Sequence, residues 1–148
     1  MRLNLTCKND MKNLKTVSHI GYAVKDIMQT ANHYLGAGWR MSEIFEEKIQ
    51  NTKIAFLEKE GFPTIELVSP LNESKSPVDN IIAQNGVSPY HICYEVDDIE
   101  QAVEDLYEED FKPLFMPVES VAMENRKICY LHHLDIGYIE LVERSKNA

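Results

Sequence analysis

The chain has 148 residues, which fits one domain of ordinary size or two half-domains that share a core. Its hydrophobic share of 44% and charged share of 26% are typical of a globular protein rather than a disordered one. The formal net charge of −9 argues against nucleic acids and anionic membranes as partners, because both require a positive protein surface.

The cysteines and the first residues indicate a cytoplasmic protein. Cys7, Cys93 and Cys129 are odd in number and not closely spaced, which disfavours a disulfide framework and a zinc knuckle. No apolar run approaches the roughly 18 residues of a membrane-spanning helix. Residues 1–15 are polar and lack the apolar middle of a signal peptide, so we expect a flexible N-terminal extension there.

An internal repeat organises the rest of the chain. The segment His19-Ile-Gly-Tyr-Ala-Val-Lys-Asp-Ile recurs as His91-Ile-Cys-Tyr-Glu-Val-Asp-Asp-Ile, with six of nine positions identical at an offset of 72. Further on, Ile65-Glu-Leu-Val recurs unchanged as Ile139-Glu-Leu-Val at an offset of 74. We therefore predict one domain over residues 16–148, built from two copies of one module, residues 16–70 and residues 88–143.

Each module is predicted to contain a strand, a helix and three further strands. Alternating apolar residues indicate the first strand around His19 and around His91. Asp26 and Asp98 are natural N-caps for the helices that follow, each with Gln three residues on. Further strands are predicted near residues 39–48, 52–58 and 63–68, and again near 112–119, 126–132 and 138–143. A Ser-Pro start and a closing glycine predict a linker helix over residues 76–86.

Four residues with metal-binding side chains occupy equivalent places in the two modules. His19 and His91 face away from the bulky apolar side of their strands, and Glu66 and Glu140 each stand between two apolar residues. A buried carboxylate is costly unless it is paired or binds a cation. Two imidazoles and two carboxylates would balance a divalent cation such as Ni²⁺, Zn²⁺ or Co²⁺, with Mn²⁺ also suitable. Taken singly, each is better explained as a hydrogen-bonded core histidine or a solvent-facing glutamate, and only the four together in matched register favour a metal site.

These motifs resemble the vicinal oxygen chelate superfamily, and within it glyoxalase I and methylmalonyl-CoA epimerase. The resemblance covers about residues 16–144. It implies an α+β fold in which two βαβββ modules form an open, cup-shaped mixed β-barrel with helices outside, the glyoxalase/bleomycin-resistance fold. It also implies one divalent metal ion per site, held by His19, Glu66, His91 and Glu140, and a homodimer.

The function expected first is a glyoxalase I-like lyase or isomerase. Such an enzyme converts a 2-oxoaldehyde hemithioacetal to a 2-hydroxyacyl thioester through a metal-stabilised enediolate, and the resemblance makes Glu140 and Glu66 the candidate catalytic bases. An acyl-CoA epimerase is an alternative with a different base. The epimerase family usually places a separate glutamate on the hairpin that here reads Ile49-Gln50-Asn51, although Glu46 and Glu47 are close. A non-catalytic small-molecule-binding protein is a further alternative.

Three residues outside the quartet are candidates for substrate binding. Asn125 and Arg126 precede a predicted strand of the second module, where they could meet a carboxylate or phosphate of the thiol carrier. A solvated basic turn explains them equally well. Cys93 lies two residues beyond His91 on the same strand face, which would let it line the cup.

Overall fold

The computed structural model describes residues 11–146, so most of the extension predicted for residues 1–15 lies outside it. Within the described part, ten strands and three helices form an α+β fold. The strands are β1 (Val17–Ala23), β2 (Arg40–Met41), β3 (Phe45–Glu47), β4 (Thr52–Glu58), β5 (Ile65–Pro70), β6 (Ser88–Val96), β7 (Lys112–Pro113), β8 (Val118–Ser120), β9 (Arg126–His133) and β10 (Gly137–Glu143). The helices are α1 (Ile27–Leu35), α2 (Pro77–Asn85) and α3 (Ile99–Tyr107), with a 3₁₀ turn at Val121–Met123.

All ten strands belong to one mixed sheet. The order is β2-β4-β5-β1-β6-β10-β9-β7, with β3 on β4 and β8 on β9. At the centre, β1 and β6 pair antiparallel and join the first half of the chain to the second. Each of these strands has the last strand of its own half as a parallel neighbour, β5 for β1 and β10 for β6. The predicted α+β class is confirmed, and over residues 11–146 the sheet remains open rather than closing into a barrel.

The helices begin where the sequence predicts. The carboxylates of Asp26 and Asp98 accept hydrogen bonds from the backbone N–H groups of Gln29 and Gln101, at 2.9 and 3.0 Å. Both α1 and α3 bury one apolar side against the outer face of the sheet. The linker helix α2 has Pro77 as its first residue, and its Val78 packs in a cluster with sheet residues of the inner face. It therefore covers one end of the cup.

The strand predicted over residues 39–48 is wrong as a single element, and so is the strand over residues 112–119. Each consists of two short strands, β2 and β3 in the first half and β7 and β8 in the second. In the first case the hydroxyl of Ser42 replaces a backbone group and accepts the N–H of Phe56 at 2.9 Å. In the second, Pro113 and Pro117 lack the N–H groups that a continuous strand would donate.

The segment just before β1 is held against the second half of the chain. Leu14 packs on the apolar cluster under α3, the N–H of Lys15 donates to the carbonyl of Glu95, and the N–H of Glu95 donates to the carbonyl of Thr16. Within residues 11–146, every helix is too short or too polar to traverse a lipid bilayer.

Candidate metal centre

Two irregularities in the β1–β6 ladder orient the histidines. The pairing shifts register at Ser18 on β1 and at Tyr90 on β6, the residues immediately before His19 and His91. A bulge of this kind changes the direction of neighbouring side chains. Consequently the hydroxyl oxygen of Ser18 lies 3.1 Å from Nδ1 of His19, and the ring of Tyr90 packs edge-on against His91 with centroids 4.4 Å apart. Strict alternation along the strand would have placed both neighbours on the opposite face.

The glutamates reach the same place from the flanking parallel strands. Glu66 lies on β5 opposite Gly21 of β1, and Glu140 lies on β10 opposite Cys93 of β6. Side chains of matched register on adjacent strands share a face, so both carboxylates point to the side that carries the histidines. None of the four predicted ligands is more than 4% exposed.

The structure brings the four predicted side chains together. Nε2 of His19 lies 2.9 Å from Oε2 of Glu140 and 3.0 Å from Oε2 of Glu66. Nε2 of His91 lies 2.9 Å from the same oxygen of Glu140, 3.7 Å from Oε1 of Glu66 and 3.4 Å from Nε2 of His19. One ligand atom from each residue falls within 4.8 Å of all the others. The histidine–glutamate repeat therefore describes one cluster inside the cup.

The electrostatics of the cluster favour a bound cation. Burial lowers the pKa of His19, but the carboxylates of Glu66 and Glu140 outweigh it and raise the pKa to about 10. Burial raises the pKa of Glu140, but His19 and His91 hold it at about 2. The protein without a cation therefore retains a proton on His19 between two carboxylates. A divalent cation would take the place of this proton, because metal ligands must be deprotonated.

The geometry also fits a divalent cation. Nitrogen and oxygen ligands lie about 2.0–2.2 Å from an ion such as Zn²⁺, so two neighbouring ligands are roughly 3–3.5 Å apart. The nitrogen–oxygen and nitrogen–nitrogen distances in the cluster run from 2.9 to 3.7 Å. In addition, Oε1 of Glu66 is buried and has no hydrogen-bond partner among residues 11–146. An unsatisfied buried carboxylate oxygen of this kind is explained by a ligand.

Gly21 makes room for one of the ligands. A Cβ atom at this position would lie 1.9 Å from Cε1 and 2.4 Å from Nε2 of His91, far inside van der Waals contact. The imidazole ring of His91 therefore rests directly on the backbone of β1. The sequence repeat places Cys93 at the equivalent position of β6, so the glycine that accommodates the ring of His91 has no counterpart in the second module.

A cavity of about 280 Å³ lies near the cluster, although none of the four cluster residues is in its wall. Tyr90 and Tyr130 line it, and both rings also contact His91, with centroids 4.4 and 5.0 Å away. Burial, together with the negative charge of the cluster, raises the pKa of both tyrosines well above the usual value, so their hydroxyls stay protonated. The remaining wall consists of Gln50, Thr52, Ile54, Val68, Pro77, Val78, Ile81, Leu114, Phe115 and Tyr138. Neither tyrosine was predicted as a site residue. The bulge at Tyr90 is invisible to a strand alternation pattern, whereas Tyr130 pairs in register with Glu140 and could have been found from the alternation of β9.

A second, more open groove of about 470 Å³ continues from the cavity. The two share Gln50, Pro77 and Phe115, which form the boundary between them. The basic side chain of Lys75 lies along the outer groove. Together they form a path from solvent, past the start of α2, to the wall beside His91.

The three predicted substrate-binding residues lie elsewhere. Cys93 is fully buried against Glu140, and burial raises the pKa of its thiol well above the usual value. Nε of Arg126 donates to the carbonyl of Met123 at 3.1 Å, and the side chain lines a separate groove that shares no residue with the cavity. Asn125 occupies a left-handed turn before β9, with φ of 62°. None of the three is part of the cavity wall.

The hairpin between β3 and β4, residues 48–51, contains no carboxylate, and neither Glu46 nor Glu47 is in the cavity wall. Glu46 is exposed, and it pairs in register with Lys53. Glu47 is buried, and its Oε1 accepts hydrogen bonds from the hydroxyl of Ser120 at 2.6 Å and the N–H of Ala122 at 3.1 Å. This carboxyl group thus joins the edge of the first half of the sheet to the 3₁₀ turn of the second.

The fold and the cluster agree with the family comparison. Residues 18–130 match the model of the glyoxalase/bleomycin resistance protein/dioxygenase superfamily. The chain belongs to this superfamily, also called the vicinal oxygen chelate superfamily, and the resemblance read from its motifs is confirmed.

Its relatives are methylmalonyl-CoA epimerases rather than lactoylglutathione lyases. The human mitochondrial methylmalonyl-CoA epimerase is 30% identical over 133 residues, covering 88% of this chain and 73% of the human protein. The structure of the Mycobacterium tuberculosis methylmalonyl-CoA epimerase is similar with a TM-score of 0.78, at 23% identity and with 91% of each chain covered. The Streptomyces coelicolor epimerase in complex with 2-nitronate-propionyl-CoA has a TM-score of 0.76 at 24% identity, covering 89% of this chain and 99% of that one. These findings favour the epimerase alternative over the glyoxalase I function expected first.

Proposed function

We propose that this protein is a divalent-cation-dependent epimerase of an acyl-thioester substrate. The observation that carries the proposal is the buried quartet of His19, Glu66, His91 and Glu140 beside a cavity large enough for a small acyl group. The similarity to methylmalonyl-CoA epimerases supports the choice of reaction. When bound, the cation supplies Lewis-acid stabilisation of the negative charge that develops as the α-carbon loses its proton. Ni²⁺, Zn²⁺, Co²⁺ and Mn²⁺ all suit this ligand set.

The two carboxylates of the quartet are the proposed proton carriers. Epimerisation removes a proton from one face of the α-carbon and returns one to the other, which requires a base and an acid on opposite sides. Glu66 and Glu140 come from opposite halves of the sheet, and so can approach a substrate from two sides. Glu66 is the better first base, because its Oε1 has no hydrogen-bond partner in the described chain, whereas Oε2 of Glu140 lies 2.9 Å from both imidazoles.

The cavity and the outer groove would hold different parts of the substrate. A cavity of 280 Å³ holds an acyl group of a few carbons but not a nucleotide-bearing carrier such as coenzyme A. The carrier would lie in the outer groove, where Lys75 is placed to meet a phosphate. In this arrangement the thioester carbonyl enters past Phe115 and reaches the wall formed by Tyr90 and Tyr130.

Hydrogen exchange in heavy water tests the reaction. The cation-loaded protein should incorporate deuterium at the α-carbon of a branched acyl-CoA, measured by mass spectrometry. We expect Glu66→Gln and Glu140→Gln each to reduce the exchange rate at least about a hundredfold. Glu46→Gln is the matched control, since this glutamate is exposed on the hairpin, and it should leave the rate unchanged. A loss of exchange in the control variant would move the base to the hairpin.

The alternatives give different results in the same assays. Formation of a thioester from a hemithioacetal of methylglyoxal, without exchange into any acyl-CoA, would favour a glyoxalase. Failure to retain a divalent cation, measured by elemental mass spectrometry on purified protein and after reconstitution, would favour a non-catalytic binding protein. The homodimer and the cytoplasmic location remain predictions, which light scattering and cell fractionation can test.

A further inference from the structure

The charge of the quartet and the chemistry of the cavity wall together restrict the substrate. The two carboxylates of Glu66 and Glu140 neutralise a divalent cation completely, while the histidines add no charge as ligands. A substrate that brings its own carboxylate next to the cation would leave one net negative charge in a buried site. Such a charge is expensive unless the protein supplies a positive partner.

The cavity does not supply that partner. Among the described residues that line it, seven of the twelve are aliphatic or phenylalanine side chains or proline, and none is basic. The other five wall residues are polar but uncharged, namely Gln50, Thr52 and three tyrosines. Thr52 is 2% exposed, and its hydroxyl has no hydrogen-bond partner within residues 11–146. The wall can therefore contact apolar groups and offer neutral hydrogen bonds, but it cannot neutralise an anion.

A third buried carboxyl group stands next to the cavity. Glu47 on β3 pairs in register with Thr52 on β4, so the two side chains lie on the same face of the sheet. Glu47 already uses the Ser120 hydroxyl and the Ala122 N–H, which are the donors at the start of the 3₁₀ turn. These donors are therefore occupied by a carboxyl group of the protein itself. The surroundings of the cavity therefore add a further acidic side chain, and the described residues of its wall supply no positive charge to balance a substrate carboxylate.

We propose that the acyl group accepted by this protein carries no free carboxylate on its α-carbon, and that the substrate is an uncharged, α-branched acyl thioester. This inference rests on the proposed epimerase function and restricts its substrate. It separates this chain from its relatives named as methylmalonyl-CoA epimerases, because the methylmalonyl group is anionic.

A matched pair of thioesters tests the inference. 2-Methylbutyryl-CoA and methylmalonyl-CoA both carry a methyl group on the α-carbon, and they differ in an ethyl group against a carboxylate of similar size. With the cation-loaded protein, we expect deuterium exchange into 2-methylbutyryl-CoA to exceed that into methylmalonyl-CoA by about tenfold or more. Faster exchange into methylmalonyl-CoA would overturn the inference while leaving the epimerase function in place. Exchange into neither would overturn both.

Equilibrium binding provides a readout that does not depend on catalysis. By calorimetry, the wild-type protein should bind 2-methylbutyryl-CoA more tightly than methylmalonyl-CoA. Glu66→Gln keeps an oxygen ligand but removes one negative charge, so it should improve binding of methylmalonyl-CoA about tenfold and change binding of 2-methylbutyryl-CoA by less than about threefold. Equal effects on the two thioesters would contradict the charge argument.

A second variant covers the case in which Glu66→Gln no longer holds the cation. Gln50 is half-buried at the boundary between the cavity and the outer groove, so a lysine there can place its ammonium group at the cavity entrance. Gln50→Lys should strengthen methylmalonyl-CoA binding selectively, and Gln50→Met, the uncharged control of similar length, should not. If Glu66→Gln and Gln50→Lys both bind the two thioesters as the wild type does, charge does not control the choice of substrate.

Discussion

Gly21→Ala is the sharpest test of how the site is built. The added Cβ would lie 1.9 Å from Cε1 of His91, where a normal carbon–carbon contact is about 3.5 Å, so the ring must move by roughly 1.5 Å. Metal ligands tolerate displacements of only about 0.2 Å. His91 would therefore no longer contribute to the cluster, although neither a ligand nor a charge has been changed. We expect cation affinity to fall at least about a hundredfold and stability to fall by about 1–3 kcal/mol, the usual result of overpacking.

The assay is competition with a chromophoric chelator, together with urea unfolding of the cation-free protein. Gly36→Ala is the matched control, because Gly36 has φ of −62° and an added Cβ would meet its nearest neighbour at an ordinary 3.5 Å. It should keep wild-type cation affinity. His91→Ala should remove the steric conflict, so adding Gly21→Ala to it should cost little further stability. Cation affinity of Gly21→Ala within about threefold of wild type, or additive stability losses in the double variant, would refute the packing argument.

The other predictions concern protons, catalysis and stability. Without a cation the pKa of His19 is raised to about 10, so one proton must leave when a cation binds. Cation affinity should therefore increase about tenfold for each unit by which the pH is raised, up to that pKa. An affinity that does not change with pH in chelator competition would contradict the site. Glu66→Gln should reduce α-proton exchange more than Glu140→Gln at saturating cation, because the Glu66 carboxylate has the free oxygen, and the reverse order would reassign the first base. Glu47→Ala should lower the free energy of unfolding by about 2 kcal/mol, because two buried donors lose their acceptor. Glu47→Gln should lower it by less. Equal urea midpoints for the two variants would argue against a stabilising role of the hydrogen bonds from Ser120 and Ala122 to Glu47.

Much of the cluster could be predicted from the sequence, because the internal repeat shows which positions of the two halves are equivalent. The offset of 72 relates His19 to His91, and the offset of 74 relates Glu66 to Glu140. Part of the two-residue difference lies in the hairpin before β4 and β9, which spans residues 48–51 in the first half and residues 121–125 in the second. Side chains alternate between the two faces of a strand, so an even difference between the two offsets keeps Glu66 and Glu140 on the same face. Both glutamates therefore still point inward.

The details that position the ligands could not be predicted, because they arise from pairing between the two halves. The requirement for glycine at Gly21 follows from the ring of His91, a residue of the other half. The inward turn of Tyr90 follows from a bulge against β1, and strand alternation contains no sign of it. Arg126 looked like an anion-binding residue in the sequence, but its backbone partner is local and its groove shares no residue with the cavity.

The quartet joins parts of the chain that are far apart, since His19 and Glu140 are separated by 121 residues. A cation held between them would act as a removable cross-link between β1 and β10. Closing so large a loop restricts the unfolded chain as a disulfide would, but reversibly and without thiol chemistry. Removal of the cation by a chelator should therefore destabilise β1 and β10 together, and during synthesis the cross-link can form only after Glu140 has left the ribosome.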